Sequence, residues 1–205
     1  MITLCAEHHA KADAGAFTIK QLRTFKEQAL GRAADVRGRF DWMRRELLGV
    51  VGGNFYIETP VIFKFRGQPV IWFERDRDGH LLLNVRMLTT SSESRTEIEN
   101  NFWLSQGDVC DFECPPSGRL LRVAYPNGDS LRVEFFELES AVKAQGRYPD
   151  AMPDRWGISF PVTAVEINEN VAGTSIQFGP RETTIGGAKL INNVFRNCGA
   201  AINLN

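Results

Sequence analysis

Histidine and cysteine are scarce in this chain of 205 residues, with three of the first and four of the second. With no secretory leader in view, four cysteines do not amount to a disulfide framework. Glu7, His8 and His9 interrupt the apolar stretch that a secretory signal needs near Met1. No apolar run approaches the roughly 20 residues of a membrane helix. A cytoplasmic location with no membrane partner is therefore the default expectation. A strong charge of either sign is also missing, since 24 Lys/Arg stand against 25 Asp/Glu. From residue 54 onward there is no nucleotide-binding glycine loop, no nucleophile elbow and no paired-carboxylate signature.

What is present is ordinary for a globular protein: 43% hydrophobic and 24% charged residues. Fourteen Phe and four Trp can fill a core. The length allows one large domain or two small ones. Charge is unevenly placed. Residues 1–50 carry nine Lys/Arg and six Asp/Glu, a net of +3, and the remainder a net of −4. Contact with nucleic acid is driven largely by cations against phosphate, so the N-terminal segment is the expected DNA-facing part.

Two of the three histidines fall in one short run, Leu4-Cys5-Ala6-Glu7-His8-His9. On a helical turn Cys5 faces the same way as His8 and His9. Thiolate and imidazole are zinc ligands, and Cys-x-x-His is ordinary zinc spacing. Lys11, then Asp13-Ala14-Gly15, then Thr18 at the head of a helix follow. The bland reading is a helix with a buried cysteine and two surface histidines. The whole string resembles the C-terminal half of the HNH endonuclease motif, over about the first thirty residues. The resemblance implies a partial structural Zn2+ site at Cys5 and His8, with His9 as the catalytic ligand of a divalent metal such as Mg2+. Lys11 would contact a flanking phosphate. The register could slip by one, making His9 the structural ligand. The upstream Cys-x-x-Cys pair, the water-activating histidine and the orienting asparagine of that family have no counterpart in Met1–Leu4.

The third histidine lies in Arg75-Asp76-Arg77-Asp78-Gly79-His80, which reads as a hairpin turn, with His80 a solvated loop residue. Cys110-Asp111-Phe112-Glu113-Cys114 reads either as a second metal clip or as two reduced cysteines beside the Pro115-Pro116 turn.

Thr18-Ile19-Lys20-Gln21 has the form of a capping box and predicts a helix. Ile19, Leu22 and Phe25 recur at helical spacing. Val36, Phe40, Met43 and Leu47 predict a second helix, with Arg37, Arg39, Arg44 and Arg45 on its outside. Gly49 and Gly52-Gly53-Asn54 mark the expected domain boundary. Beyond it, Val61–Arg66, Val70–Phe73 and Leu81–Met87 read as an antiparallel meander. Asn127-Gly128 between alternating runs predicts a hairpin. Ser140–Tyr148 reads as a short helix, and Val162–Asn168 and Thr174–Phe178 as strands. The tail Ile185–Asn205 resembles one rung of a parallel β-helix, but the sequence shows no second copy. A strand ending, or the cut edge of a longer chain, is the plainer reading.

The expected fold is α+β: an N-terminal helical segment (1–50) with a partial ββα-metal (HNH) site, then a mainly antiparallel β-domain (54–205). The expected function is a fragment of a metal-dependent HNH-type DNA endonuclease with an appended β-rich binding domain, inactive by itself. The alternative is a non-catalytic ligand- or partner-binding β-protein carrying a decayed nuclease remnant.

Overall fold

The computed structural model of the protein describes residues 12–32 and 35–205. Helix α1 spans Ile19–Arg32. Its capping box forms as the sequence predicts, with Thr18 N–H donating to Gln21 Oε1 (2.9 Å) and Gln21 N–H to Thr18 Oγ1 (3.2 Å). From there the chain is nearly all strand. The first eight strands are β1 (Asp35–Arg39), β2 (Leu48–Val51), β3 (Asn54–Ile57), β4 (Val61–Phe65), β5 (Gln68–Arg75), β6 (Leu81–Arg86), β7 (Glu97–Glu99) and β8 (Phe102–Gln106). Next come β9 (Asp111–Glu113), β10 (Leu120–Ala124), β11 (Ser130–Leu138), helix α2 (Ala141–Arg147) and β12 (Val162–Asn170). The chain ends in β13 (Ile176–Phe178), β14 (Thr183–Ile185), β15 (Ala188–Leu190), β16 (Val194–Arg196) and β17 (Ala200–Leu204).

The α+β expectation is thus overturned: the protein is mainly β, with two sheets and only short helices among the described residues. The error lies in the second predicted helix. Asp35–Arg39 is a strand paired antiparallel with β8, and Arg44 bridges to Leu81. Val36, Gly38 and Phe40 alternate with Arg37 and Arg39, a period of two that competes with the helical spacing. Trp103 decides between them. A Cβ at position 38 would lie 2.3 Å from the Trp103 ring, so Gly38 lets β1 cross that ring closely. Gly52 and Gly53, at the expected domain boundary, both have positive φ and make the turn between β2 and β3.

The first sheet runs β1-β8-β7-β6-β5-β4-β17. In the second, β9, β10, β11 and β12 follow in order, and β12 is joined along its length by β2 (parallel) and β13. From β2 the sheet continues through β3 to β16. The main core, including Phe40, Tyr56, Phe63, Ile71, Val85, Val133 and Phe135, lies between the sheets. A second core covers the outer face of β2, β3 and β12. There Leu48, Val50, Phe55 and Ala164 meet Ala144, Tyr148, Ala151 and Trp156 from the α2 segment. With both faces covered, β2 and β3 are buried throughout, whereas β11 alternates as a one-sided strand should. The meander and the Asn127-Gly128 hairpin form in the expected places.

Two strand–corner–strand arcs stack in parallel: β3–β4 and β16–β17. The stack joins residues 139 apart. Phe55 N–H donates to Asn193 O (2.8 Å) and Asn197 N–H to Ile57 O (3.1 Å). Asn54 Oδ1 accepts from Asn193 N–H (3.0 Å) and Nδ2 (2.9 Å). The rings of Tyr56 and Phe195 stack at 5.0 Å and 6°. The second copy of the tail's rung does exist, but it is Asn54–Phe65, whose sequence shares little with Asn193–Leu204 beyond the first asparagine.

Candidate functional site

Cys5, His8, His9 and Lys11, the residues on which the HNH resemblance rests, lie outside the described residues. No helix among the described residues is long and apolar enough to cross a membrane.

His80 sits in the β5–β6 turn. Asp76 organises that turn: its Oδ1 accepts from the Asp78 and His80 N–H groups (2.9 and 2.8 Å), and its Oδ2 lies 3.1 Å from His80 Nδ1. Desolvation alone would raise the Asp76 pKa, but these bonds and the imidazole outweigh it and hold the carboxyl below its ordinary value. Asp76, Asp78 and His80 form the one cluster of metal-ligand type among the described residues. The hydrogen bonds of an ordinary Asx turn account for it without a metal. Cys110 and Cys114 flank β9 as free thiols, one exposed and one half-buried. Burial pushes the Cys114 thiol up, away from the thiolate that a metal needs.

A charged network covers the outer face of the second sheet. Glu134 and Glu166 stand directly opposite one another on β11 and β12. Arg147 Nη2 reaches both, at 2.9 and 3.0 Å. Arg132 also pairs with both (2.8 and 3.4 Å), and the Tyr148 hydroxyl donates to Glu166 (2.9 Å). Burial acts to raise the Glu166 pKa, yet hydrogen bonds from Asn168, Arg147 and Tyr148 prevail and keep it ionised below its ordinary range. A carboxylate held in this way is a poor general acid at neutral pH. The cleft beside it, about 260 Å³, is lined by Arg147, Tyr148, Glu166 and Arg181.

A second buried cluster joins the sheets at one end. Asp129 accepts from Thr89 (2.6 Å), Arg95 (3.0 Å) and Asn127 (2.8 Å). Glu169 is 2% exposed. Its Oε1 accepts from Leu88 N–H (2.6 Å), while its Oε2 has no hydrogen-bond partner among the described residues. Burial pushes its pKa up to about 8.

A broad concavity, about 680 Å³, lies on the outer face of β1, β8 and β7. Its rows are Arg37–Leu104–Glu97 and Arg39–Phe102–Glu99. Phe102 is 56% exposed, with the Arg39 guanidinium 4.8 Å from its ring centre. Arg37 and Arg39, expected on the outside of a helix, instead edge a strand and share their surface with two glutamates. Sequence reasoning missed this trough. The register across three strands assembles it, and only the β1 alternation could have hinted at it. Trp103 and Trp156 are buried, and Trp72 is half-buried with its Nε1 donating to Glu74 (2.8 Å).

These features define a two-sheet β-protein with two charged clusters and an aromatic trough among the described residues. Comparison with protein-family models, with curated proteins and with solved structures gave no match.

Proposed function

We propose that this chain is a binding module, catalytically silent by itself, attached to a partial HNH-type metal segment. The observation that carries the reading is the trough on β1, β8 and β7. An exposed aromatic stands at its centre, arginines on one rim and carboxylates on the other. Aromatics and Arg supply most of the energy in protein interfaces. Glu97 and Glu99 would repel a phosphate backbone, so a polypeptide fits this face better than DNA. Any DNA contact is assigned to the N-terminal segment, through Lys11.

By resemblance, Cys5 and His8 would hold part of a structural zinc site and His9 a divalent ion that stabilises charge at a phosphodiester. The Asp76–Asp78–His80 cluster belongs to a hairpin turn, and no other Cys/His group among the described residues completes that set. The free thiols of Cys110, Cys114 and Cys198 are in keeping with a reducing, cytoplasmic setting.

Two measurements test the reading. Supercoiled DNA with Mg2+, Mn2+ or Zn2+ should stay intact, and nicking that disappears in His9→Ala would overturn catalytic silence. Peptides selected from a displayed library on the native chain should lose about tenfold or more in affinity against Phe102→Asp. Selected peptides that bind both proteins equally would remove the trough from the proposal.

A further inference from the structure

The free edges of the two sheets are not alike. Among the described residues, β1, β9, β15, β16 and β17 each have one strand partner. Exposed sheet edges invite pairing with another chain, and proteins blunt them with charge or proline. Strand β1 carries Arg37 and Arg39. Strand β9 carries Asp111 and Glu113 and is followed by Pro115-Pro116. Strand β15 carries Lys189, paired with Glu182 at 2.7 Å. The β16–β17 arc has no such guard. Residues 191–204 contain no proline, and their one charge is Arg196. Its guanidinium lies over Gly157, where an added Cβ would meet Arg196 Nη1. That charge is therefore drawn onto the outer face of the second sheet and away from the edge.

Both sheets end in this same arc, so among the described residues the interior between them is left uncovered here. Phe195, Ala201 and Leu204 are half-buried against the main core, and Ile191 and Val194 are 50% and 43% exposed. The inward side of the arc shows what this kind of edge accepts. Asn193 stacks on Asn54, Phe195 on Tyr56, and Ile202 pairs with Phe63. The left-handed corner residue Asn197 (φ 54°) repeats Glu58 (φ 47°), and Asn192 (φ 55°) repeats Gly53 (φ 69°). Asparagine ladders, stacked aromatics and shared backbone bonds are what hold successive parallel strands in register.

We propose that the β16–β17 edge is a docking site for one further polypeptide arc, which stacks on it in parallel as β16–β17 stacks on β3–β4. The arc has the chemistry of a solenoid rung: an asparagine, a short strand with one inward aromatic or aliphatic residue, a left-handed corner, and a second strand of about five residues. Backbone bonds supply its affinity and the alternate side chains its specificity. An asparagine at its start extends the Asn54–Asn193 ladder, and its inward residues cover Phe195 and Leu204. A second copy of this chain is the poorer occupant. The β3–β4 arc is already covered by β2 and β5, so copies cannot stack head to tail in parallel. A twofold pairing of β16–β17 with itself would run antiparallel and bring no corner onto a corner. This surface is separate from the β1–β8–β7 trough, and the proposal does not depend on that reading.

Hydrogen exchange on the full chain tests it, with a synthetic peptide copying residues 191–204 as the incoming arc. At millimolar peptide, amides of β16 and β17 should exchange at least tenfold more slowly, with no change at β1, β9 or β15. A scrambled peptide should have no effect. Val194→Lys places a charge on an exposed edge side chain without touching the core, and should abolish the protection while leaving the melting temperature unchanged. Unchanged exchange with the copied peptide, or equal protection by the scrambled one, overturns the proposal. So does a doubled mass by sedimentation with the edge amides already protected before peptide is added, because the occupant is then a second copy.

Discussion

Glu169 sits in an environment at odds with a carboxylate's charge. It lies on β12 opposite Phe178 and Leu131, and one of its carboxyl oxygens has no partner among the described residues. Burial disfavours the charged form and raises its pKa to about 8, with the nearby Asp129 charge adding to the shift. Asp129 follows the opposite course: desolvation opposes ionisation, but bonds from Thr89, Asn127, Arg95 and the Ala172 N–H prevail and lower its pKa. For Glu169 the linkage has a definite sign. The unfolded carboxyl ionises near its ordinary 4.5 and the folded one near 8. The stability of the neutral buried form is therefore complete below about pH 4.5 and is lost as pH rises towards 8, at roughly 1.4 kcal/mol per pH unit at most. Glu169→Gln keeps the shape and removes the titration. Thermal melts should show the variant gaining on the native chain between pH 5 and pH 8, and a constant gap would refute this. Nothing local in Val-Glu-Ile-Asn-Glu-Asn distinguishes this glutamate from the ionised Glu166. The two lie three positions apart on β12, so they face opposite sides of the sheet, and tertiary packing assigns their states.

At the scale of elements, local chemistry was legible wherever it closed within a few residues. The Thr18–Gln21 capping box, the Asn127-Gly128 hairpin and the Asp78-Gly79 turn all formed as read. So did the short helix after Ser140, whose hydroxyl accepts from Lys143 N–H (3.3 Å). The Val36–Leu47 helix failed because its apolar spacing also fits a strand, and the ring of Trp103, far along the chain, selected the strand through Gly38. The rung stack was illegible for a related reason, because its two arcs are joined by bonds between residues 139 apart. Asn54 is its central joint. Its Nδ2 donates to Gly52 O (2.8 Å), Thr183 Oγ1 (3.2 Å) and Leu190 O (3.1 Å), while its Oδ1 accepts from Asn193. Asn54→Ala strands these buried groups and should cost on the order of 1–3 kcal/mol. Denaturant titration should find that loss, and hydrogen exchange should find residues 191–204 loosened more than β10–β11. A uniform loss across the molecule would contradict the assigned joint.

At the scale of the whole molecule, β1 and β2 bind residues 35–51 into the β structure. Strand β2 lies between β12 and β3, with Leu48 and Val50 in the outer core and Val51 in the inner one. A fragment of residues 54–205 therefore loses an interior strand of the second sheet and exposes both cores. It should be unfolded by near-ultraviolet circular dichroism, whereas residues 35–205 keep the native spectrum. A folded 54–205 fragment would show that β2 is dispensable.

By itself the sequence determined which segments turn, cap and alternate, since those choices are made by neighbours within one turn or one hairpin. It also determined that Cys5, His8 and His9 share a short metal-ligand spacing. Tertiary structure alone decided that Val36–Arg39 is a strand and that Glu166 is ionised while Glu169 is pushed towards its neutral form. It also decided that Arg39 and Phe102 line one trough, and that Asn193 rests on Asn54. Each of these depends on contacts between residues far apart in sequence, and register across a sheet carries no local signature when strands pair over such distances.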